Sequence, residues 1–172
     1  MNIGIVGGGP AGLFFAYLMK RHDAAHRVRV VERDPAEATY GWGVVFTDIA
    51  LAFVRDIAPE LYAALTRNQE VHDAMRIVHR GEAITLANHT FHRMARIDLL
   101  RTLREHCGRL GIAIEFGRKV DDLAEFADCD LVVAADGAAS AIRPRRPTAG
   151  AWCSPTSRWR SSATPRPSST RR

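Results

Sequence analysis

Apolar and polar positions at the start of the chain predict a strand, a helix and a second strand. The apolar run 3–6 predicts a buried strand, and apolar residues at helical spacing predict a helix over 11–21 that Pro10 opens. A polar connection leads to a second apolar run over 28–31, which predicts another strand. This β-α-β succession within about 30 residues is the repeating unit of a parallel sheet.

Three further helices follow from the same periodicity. Asp48 is placed to cap a helix over 49–57, and Pro59 is placed to begin one over 60–66. The clearest amphipathic pattern covers 97–110, where Asp98 favours the N-terminal dipole and Gly111 ends the helix. Its apolar stripe consists of Leu99, Leu100, Leu103, Cys107 and Leu110.

Between these helices the apolar period shortens to about two, which predicts an inserted β-hairpin. Its strands are expected over roughly 74–79 and 82–87, with a turn at 80–82. Histidines in and around it match no metal-binding spacing, so we interpret them as polar surface and loop residues and expect no metal. They are His72, His79, His89 and His92.

Two more apolar runs complete the predicted sheet. Strands are expected over 112–116 and 130–135, and the second one closes on Asp136-Gly137. The alternation of helices and buried strands predicts an α/β fold with a parallel sheet, a Rossmann-like domain that carries the inserted hairpin. We assign this domain to residues 1–143.

The composition changes beyond residue 143. Residues 144–172 contain no Leu, Ile, Val or Phe and no acidic residue, and they are rich in Arg, Ser, Pro and Thr. Such a segment cannot bury enough apolar surface to fold, so we expect a disordered tail. Its seven arginines account for the net charge of +5, since 1–143 holds 17 basic and 19 acidic residues. We therefore expect no nucleic-acid partner.

Cysteine spacing argues against a disulfide-linked or metal-binding protein, and hydropathy argues against a membrane protein. Cys107, Cys129 and Cys153 are spaced like neither a disulfide framework nor a metal site. No apolar run is long enough to cross a bilayer, and glycines interrupt the first one, so it is no signal peptide. We therefore expect a cytoplasmic protein with no membrane partner.

The turn after the first strand carries the candidate chemistry. Gly7, Gly9 and Gly12 fill the G-x-G-x-x-G spacing of a dinucleotide-binding turn, and a helix N-terminus that can bind phosphates follows. Glu32 ends the second strand, 20 residues after Gly12, where a carboxylate can bind a ribose 2′-hydroxyl. An acid at this position favours FAD or NAD over NADP, although Arg33 beside it weakens that exclusion. The alternative for Glu32 is a solvated strand end.

Gly41 and Gly43 flank Trp42 in a second unusual segment. Glycines around an aromatic residue are typical of a loop whose backbone approaches a planar group. On residue type alone, a Trp packed into the core is the favoured interpretation.

Three separated patterns together resemble the single-component FAD-dependent aromatic hydroxylases. They are the glycine turn followed by Glu32, Arg96 before a Leu-rich helix, and the segment 136–143, which matches D-G-x-x-S-x-x-R at its four fixed positions. The segment 41–46 is similar to the branch with salicylyl-CoA 5-hydroxylases and anthraniloyl-CoA monooxygenases. The tryptophan-hydroxylating enzyme of violacein synthesis is a rival for this likeness.

The resemblance implies a role for each matching residue. It assigns the FAD pyrophosphate to the turn, which includes Pro10 and Ala11, and the adenosine ribose to Glu32 with Arg33 beside it. Arg96 is implied to reach the phosphate and ribose region. Asp136 and Gly137 are implied to contact the cofactor, in a segment that also serves NAD(P)H binding.

The family's reaction is hydroxylation of an aromatic ring with NAD(P)H and O₂. The implied substrate is a small aromatic molecule, in this branch a CoA thioester such as salicylyl-CoA or 2-aminobenzoyl-CoA. No catalytic side chain and no oligomeric state follow from the sequence. Two alternatives stay open: a non-catalytic FAD- or nucleotide-binding fragment, and a flavin- or NAD(P)-dependent reductase, which a second glycine turn downstream would support.

Members of the resembled family are longer than 172 residues. They carry a second Gly-Asp cofactor motif and a substrate-binding sheet after the segment that corresponds to 136–143. Here 144–172 has an unrelated composition. Our hypothesis is that the domain is truncated and that this tail is read out of frame, which the coding DNA would test.

Overall fold

The structure is a computed structural model that describes residues 1–38, 40–138, 140 and 142. The predicted disordered tail, 144–172, lies outside the described residues. The boundary expected at residue 143 does too, so both stay predictions.

A four-stranded parallel sheet forms the centre of the domain, as predicted. Its strands are β1 (Asn2–Val6), β2 (Arg27–Val31), β6 (Ala113–Glu115) and β7 (Leu131–Ala134). They lie in the order β6-β2-β1-β7. All three pairings are parallel, with Ile5 opposite Val30 on one side and Val133 on the other. The α/β class is confirmed.

Two apolar clusters cover the two faces of this sheet. On one face Ile3, Ile5 and Val30 pack beneath α1 (Pro10–His22) and α4 (Arg96–Arg109). On the other face Val6 and Val31 pack against Val120 and Phe126, the latter in a short 3₁₀ helix, Leu123–Phe126. Successive side chains of β1 and β2 point to opposite faces of the sheet, so they belong to different clusters. The predicted stripe of α4 is buried, except for the half-buried Leu110.

The inserted hairpin is longer than predicted. Its strands are β4 (Glu70–His79) and β5 (Glu82–Ala95), and β5 also pairs antiparallel with β3 (Gly43–Thr47). The result is a second sheet in the order β3-β5-β4. All four histidines considered above lie on β4 and β5, on strands rather than in loops.

Helices α2 (Asp48–Ile57) and α3 (Pro59–Thr66) follow β3 and lie close to their predicted bounds. The predicted cap is wrong by one residue. The Thr47 hydroxyl accepts the Ala50 N–H at 3.3 Å, whereas Asp48 is the first helical residue. Both residue types are good caps, and the geometry at the end of β3 selects the threonine.

The interpretation of Trp42 as a core residue is wrong. Its side chain is 99% exposed, between Gly41, which has φ +87°, and Gly43. An added Cβ on Gly43 would lie 3.1 Å from the Met94 carbonyl oxygen on the paired strand. The loop therefore holds the indole out in solvent while its backbone stays against β5. Within the described part of the chain, no helix is long and apolar enough to span a membrane.

Candidate functional site

A cavity of about 310 Å³ opens where β1, β2 and β7 end. The turn after β1, the residues after β2 and the segment after β7 meet there because the carboxyl ends of parallel strands share one edge of a sheet. Nine of the ten predicted site residues line it: Gly7, Gly9, Pro10, Ala11, Glu32, Arg33, Arg96, Asp136 and Gly137. The tenth, Gly12, is buried behind the turn.

Packing explains two of the three fingerprint glycines. Gly7 has φ +111°, and an added Cβ would lie 2.3 Å from the Ala135 carbonyl oxygen. On Gly12 an added Cβ would lie 2.0 Å from the Gly7 carbonyl oxygen. Both contacts are closer than real Cβ atoms make, so the fold itself requires glycine at these two positions.

Gly9 has a different environment. Among the described residues no atom lies within 4 Å of an added Cβ, and φ −73° with ψ 176° is open to any residue. Neither the backbone conformation nor the protein's own packing therefore requires glycine here. The open space lies in the cavity at the N-cap of α1.

The N-terminus of α1 faces this cavity without a side-chain cap from its own first turn. Within the described part of the chain, Gly9 gives no side-chain cap and the first turn has no acidic residue. Pro10 is the first helical residue and has no N–H. The partial positive charge of the helix end is therefore left for an anion in the cavity.

Glu32 connects the glycine turn with the end of β2. Its Oε2 accepts the Gly8 N–H at 2.6 Å, and its Oε1 accepts the Asp34 N–H at 2.9 Å. The interpretation as a solvated strand end is therefore wrong. Each carboxylate oxygen keeps a second lone pair, so a hydroxyl group in the cavity can still donate to it.

Cationic groups also line the cavity. Arg96 is the first residue of α4, and its backbone N–H donates to the Trp42 carbonyl oxygen at 3.4 Å. Its Nε is buried and has no hydrogen-bond partner among the described residues. Arg33 is more exposed, with its Nε 3.8 Å from Asp34 Oδ2. A buried guanidinium N–H without an acceptor favours an anionic or hydroxyl-bearing ligand.

The cavity also contains residues that we did not predict. Tyr40, Arg104, Arg118 and Lys119 line it, and the Tyr40 hydroxyl donates to Asp34 Oδ1 at 3.3 Å. Arg104 is two helical turns beyond Arg96 on α4, a spacing that could have pointed to it. Tyr40 directly precedes the segment 41–46, whereas Arg118 and Lys119 lie in a loop that carries no motif.

Among the described residues, no cysteine lines this cavity. Cys107 is buried, its Sγ donates to the Leu13 carbonyl oxygen at 3.4 Å, and burial raises its pKa to about 12. It therefore stays a protonated core residue at neutral pH. The residues with assigned positions form no group of three or more His, Cys, Asp or Glu that could hold a metal ion.

Comparison with known proteins identifies the family. The family described as "FAD binding domain" matches residues 1–162. Salicyloyl-CoA 5-hydroxylase of a Streptomyces species is 36% identical over 143 residues, which are 83% of this chain and 28% of that protein. The 3-hydroxy-4-methyl-anthranilyl-[aryl-carrier protein] 5-monooxygenase of Streptosporangium sibiricum is 34% identical over 87% of this chain and 42% of that protein.

A third relative agrees with this assignment, and a solved structure shares the fold. Protodeoxyviolaceinate monooxygenase of Chromobacterium violaceum is 31% identical over 80% of this chain and 38% of its own length. A variant of 2-methyl-3-hydroxypyridine-5-carboxylic acid oxygenase has the same fold, with a TM-score of 0.69 at 19% identity over 83% of this chain and 41% of that one. The chain spans less than half the length of each of these proteins. It belongs to the family of FAD binding domains.

Proposed function

We propose that this chain is the FAD-binding part of a monooxygenase that hydroxylates an aromatic acid held as a CoA thioester, with NAD(P)H and O₂. The observation that carries the proposal is the cavity in which an open glycine position, an uncapped helix N-terminus, Glu32 and Arg96 converge. Anion-binding and hydroxyl-binding groups thus lie at the two places where a dinucleotide needs them.

The residues present fit FAD. The space at Gly9 would take the pyrophosphate, with the N–H groups and dipole of the α1 N-terminus around it. The free lone pairs of Glu32 would accept the adenosine ribose hydroxyls. The unpartnered Nε of Arg96 would donate to a phosphate or ribose oxygen. Arg33, Asp136 and Gly137 line the same cavity, so they complete the proposed cofactor site.

In this proposal the described residues bind and orient the cofactor. When bound, FAD supplies the redox chemistry, in which NAD(P)H is oxidised, one atom of O₂ enters the ring and the other leaves as water. Gly7 and Gly12 keep the turn close to its sheet, and Glu32 fixes the turn through Gly8. The exposed aromatic residues Tyr40 and Trp42 lie between β2 and β3. Tyr40 lines the cavity, and the Trp42 carbonyl oxygen accepts the backbone N–H of Arg96.

The substrate class rests on the relatives. Two of them are named for aromatic acids carried as thioesters, one on CoA and one on an aryl carrier protein. All three curated relatives reported above are named hydroxylases or monooxygenases, which favours this reaction over the reductase alternative. We propose CoA as the carrier and the cytoplasm, where CoA thioesters and NAD(P)H occur, as the compartment.

The test is turnover by the FAD-loaded chain. Salicyloyl-CoA, added with NADH or NADPH in air, is expected to speed reduced-nucleotide oxidation and to give a product heavier by one oxygen atom in mass spectrometry. Free salicylate is the matched control, and we expect it to be the weaker substrate. Nucleotide oxidation that no aromatic thioester accelerates would contradict hydroxylation by this chain.

The second candidate is a non-catalytic FAD-binding fragment. In the same assay this alternative gives a chain that binds FAD and forms no hydroxylated product.

A further inference from the structure

Arg104 joins three elements around the cavity. It projects from α4 and donates through Nη1 to the Ala36 carbonyl oxygen, in the loop that follows β2. Its guanidinium carbon lies 5.0 Å from the ring centroid of Phe116, just after β6. A planar guanidinium can stack on a ring and donate in its own plane at the same time, which an ammonium group cannot do.

The loop 33–38 has few other links to the body of the domain. Within the described ranges these include the Gly117 N–H to the Asp34 carbonyl oxygen at 3.1 Å, the Asp34 N–H to Glu32 Oε1 at 2.9 Å, the Tyr40 hydroxyl to Asp34 Oδ1 at 3.3 Å and the Arg101 Nη2 to Glu37 Oε2 at 2.9 Å. The Arg101–Glu37 pair is solvent-exposed on both sides, at 58% and 72%, so it contributes little. Arg104 is only partly exposed, and its contact to Ala36 is the more protected link.

The charge and hydrogen bonding of Arg104 also point to the cavity. Burial lowers the pKa of the guanidinium, and the Glu37 and Glu32 carboxylates only partly oppose this. An arginine side chain is nevertheless protonated at neutral pH, so Arg104 carries a positive charge at the cavity. Its Nε is buried with no partner among the residues that the structure describes. The cavity lining includes Arg104 together with Pro35 and Ala38 of the loop.

We infer that Arg104 is a positioning residue for the adenosine half of the cofactor. It holds the loop 33–38 as one wall of the cavity and offers Nε as a donor beside Glu32. This inference rests on the proposed FAD site and adds to it a residue outside the glycine turn, Glu32 and Arg96. Stacking on Phe116 while donating to Ala36 requires the planar guanidinium of Arg104, so the positive charge of a lysine is not sufficient.

The test compares R104M and R104K with the matched control R101M, a change on the same helix that removes only the exposed pairs of Arg101 with Glu37 and Asp98. FAD and ADP are titrated against each variant by calorimetry, and thermal midpoints are recorded. Both Arg104 variants are expected to bind FAD and ADP about tenfold more weakly or worse, with R101M within about twofold of the unmodified chain. FMN, which lacks the adenosine half, should show no such difference.

Several results would overturn the inference. Unchanged ADP affinity in R104M, or full recovery of affinity in R104K, would exclude the planar positioning role. A fall in thermal midpoint together with loss of all saturable ADP binding would assign Arg104 to folding alone. If the unmodified chain binds ADP but not FAD, the proposed function fails, and the ADP titrations still decide the role of Arg104. Binding of neither ligand would overturn both.

Discussion

Gly12→Ala is expected to lower the free energy of unfolding by about 3 kcal/mol, near the upper end for single substitutions. The new Cβ would lie 2.0 Å from the Gly7 carbonyl oxygen and 3.2 Å from the Ala135 Cβ. Neither neighbour is the end of a flexible side chain. Relief therefore requires α1 to move away from the ends of β1 and β7, and this movement disturbs the core beneath the helix.

Urea unfolding followed by circular dichroism measures this effect. Gly108→Ala is the matched control because Gly108 also lies inside a helix and no described atom lies within 4 Å of its added Cβ. This control is expected to stabilise the chain by about 0.5–1 kcal/mol, the usual helix preference for alanine over glycine. Equal unfolding midpoints for the Gly12 variant and the unmodified chain would contradict the close contact.

Glu32→Gln is expected to weaken both the fold and the binding of FAD. Two backbone N–H groups, of Gly8 and Asp34, donate to the carboxylate. A glutamine side chain has only one acceptor oxygen, so its NH₂ group would face one of these donors. We expect a loss of about 1.5–3 kcal/mol in the free energy of unfolding, the usual range for charged hydrogen bonds. FAD affinity should fall as well, because the turn shifts and the ribose acceptor is lost.

Glu105→Gln is the matched control for this change. Glu105 is exposed on α4 and pairs with Arg109 at 2.5 Å, so its replacement should change stability by less than about 0.5 kcal/mol. Urea unfolding and an FAD titration on both variants give the comparison. An E32Q chain that unfolds and binds FAD like the E105Q chain would show that the Glu32 carboxylate neither stabilises the fold nor contributes to FAD binding.

The central β-α-β unit could be predicted because its information is local. The apolar runs of β1 and β2, the proline at the start of α1 and the glycine spacing all act within a few residues of each other. The location of the site could be predicted from the same strands, since parallel strands bring their carboxyl ends together. Asp136 and Gly137 could be predicted as site residues because they belong to one motif at the end of the last strand.

What could not be predicted depends on partners that are distant in sequence. β5 extends to Ala95 because β3 pairs with its second half, which its own period does not indicate. Trp42 is exposed beside Gly43, which pairs with Ala95 on a strand that is distant in sequence. Glu32 was predicted as a ligand residue, but its bond to Gly8 becomes visible only when β2 lies beside the turn.

The central claim is that the open position at Gly9 is where the FAD pyrophosphate binds. Calorimetric FAD titration of Gly9→Asp, with Gly9→Asn as the uncharged control of the same size, tests it most directly. Both residues are good helix caps and can adopt φ −73°, so neither variant should be less stable. We expect the aspartate to lower FAD affinity about a hundredfold or more, because its charge faces the phosphates, and the asparagine to lower it less. A Gly9→Asp chain that binds FAD as tightly as the unmodified chain would contradict the claim.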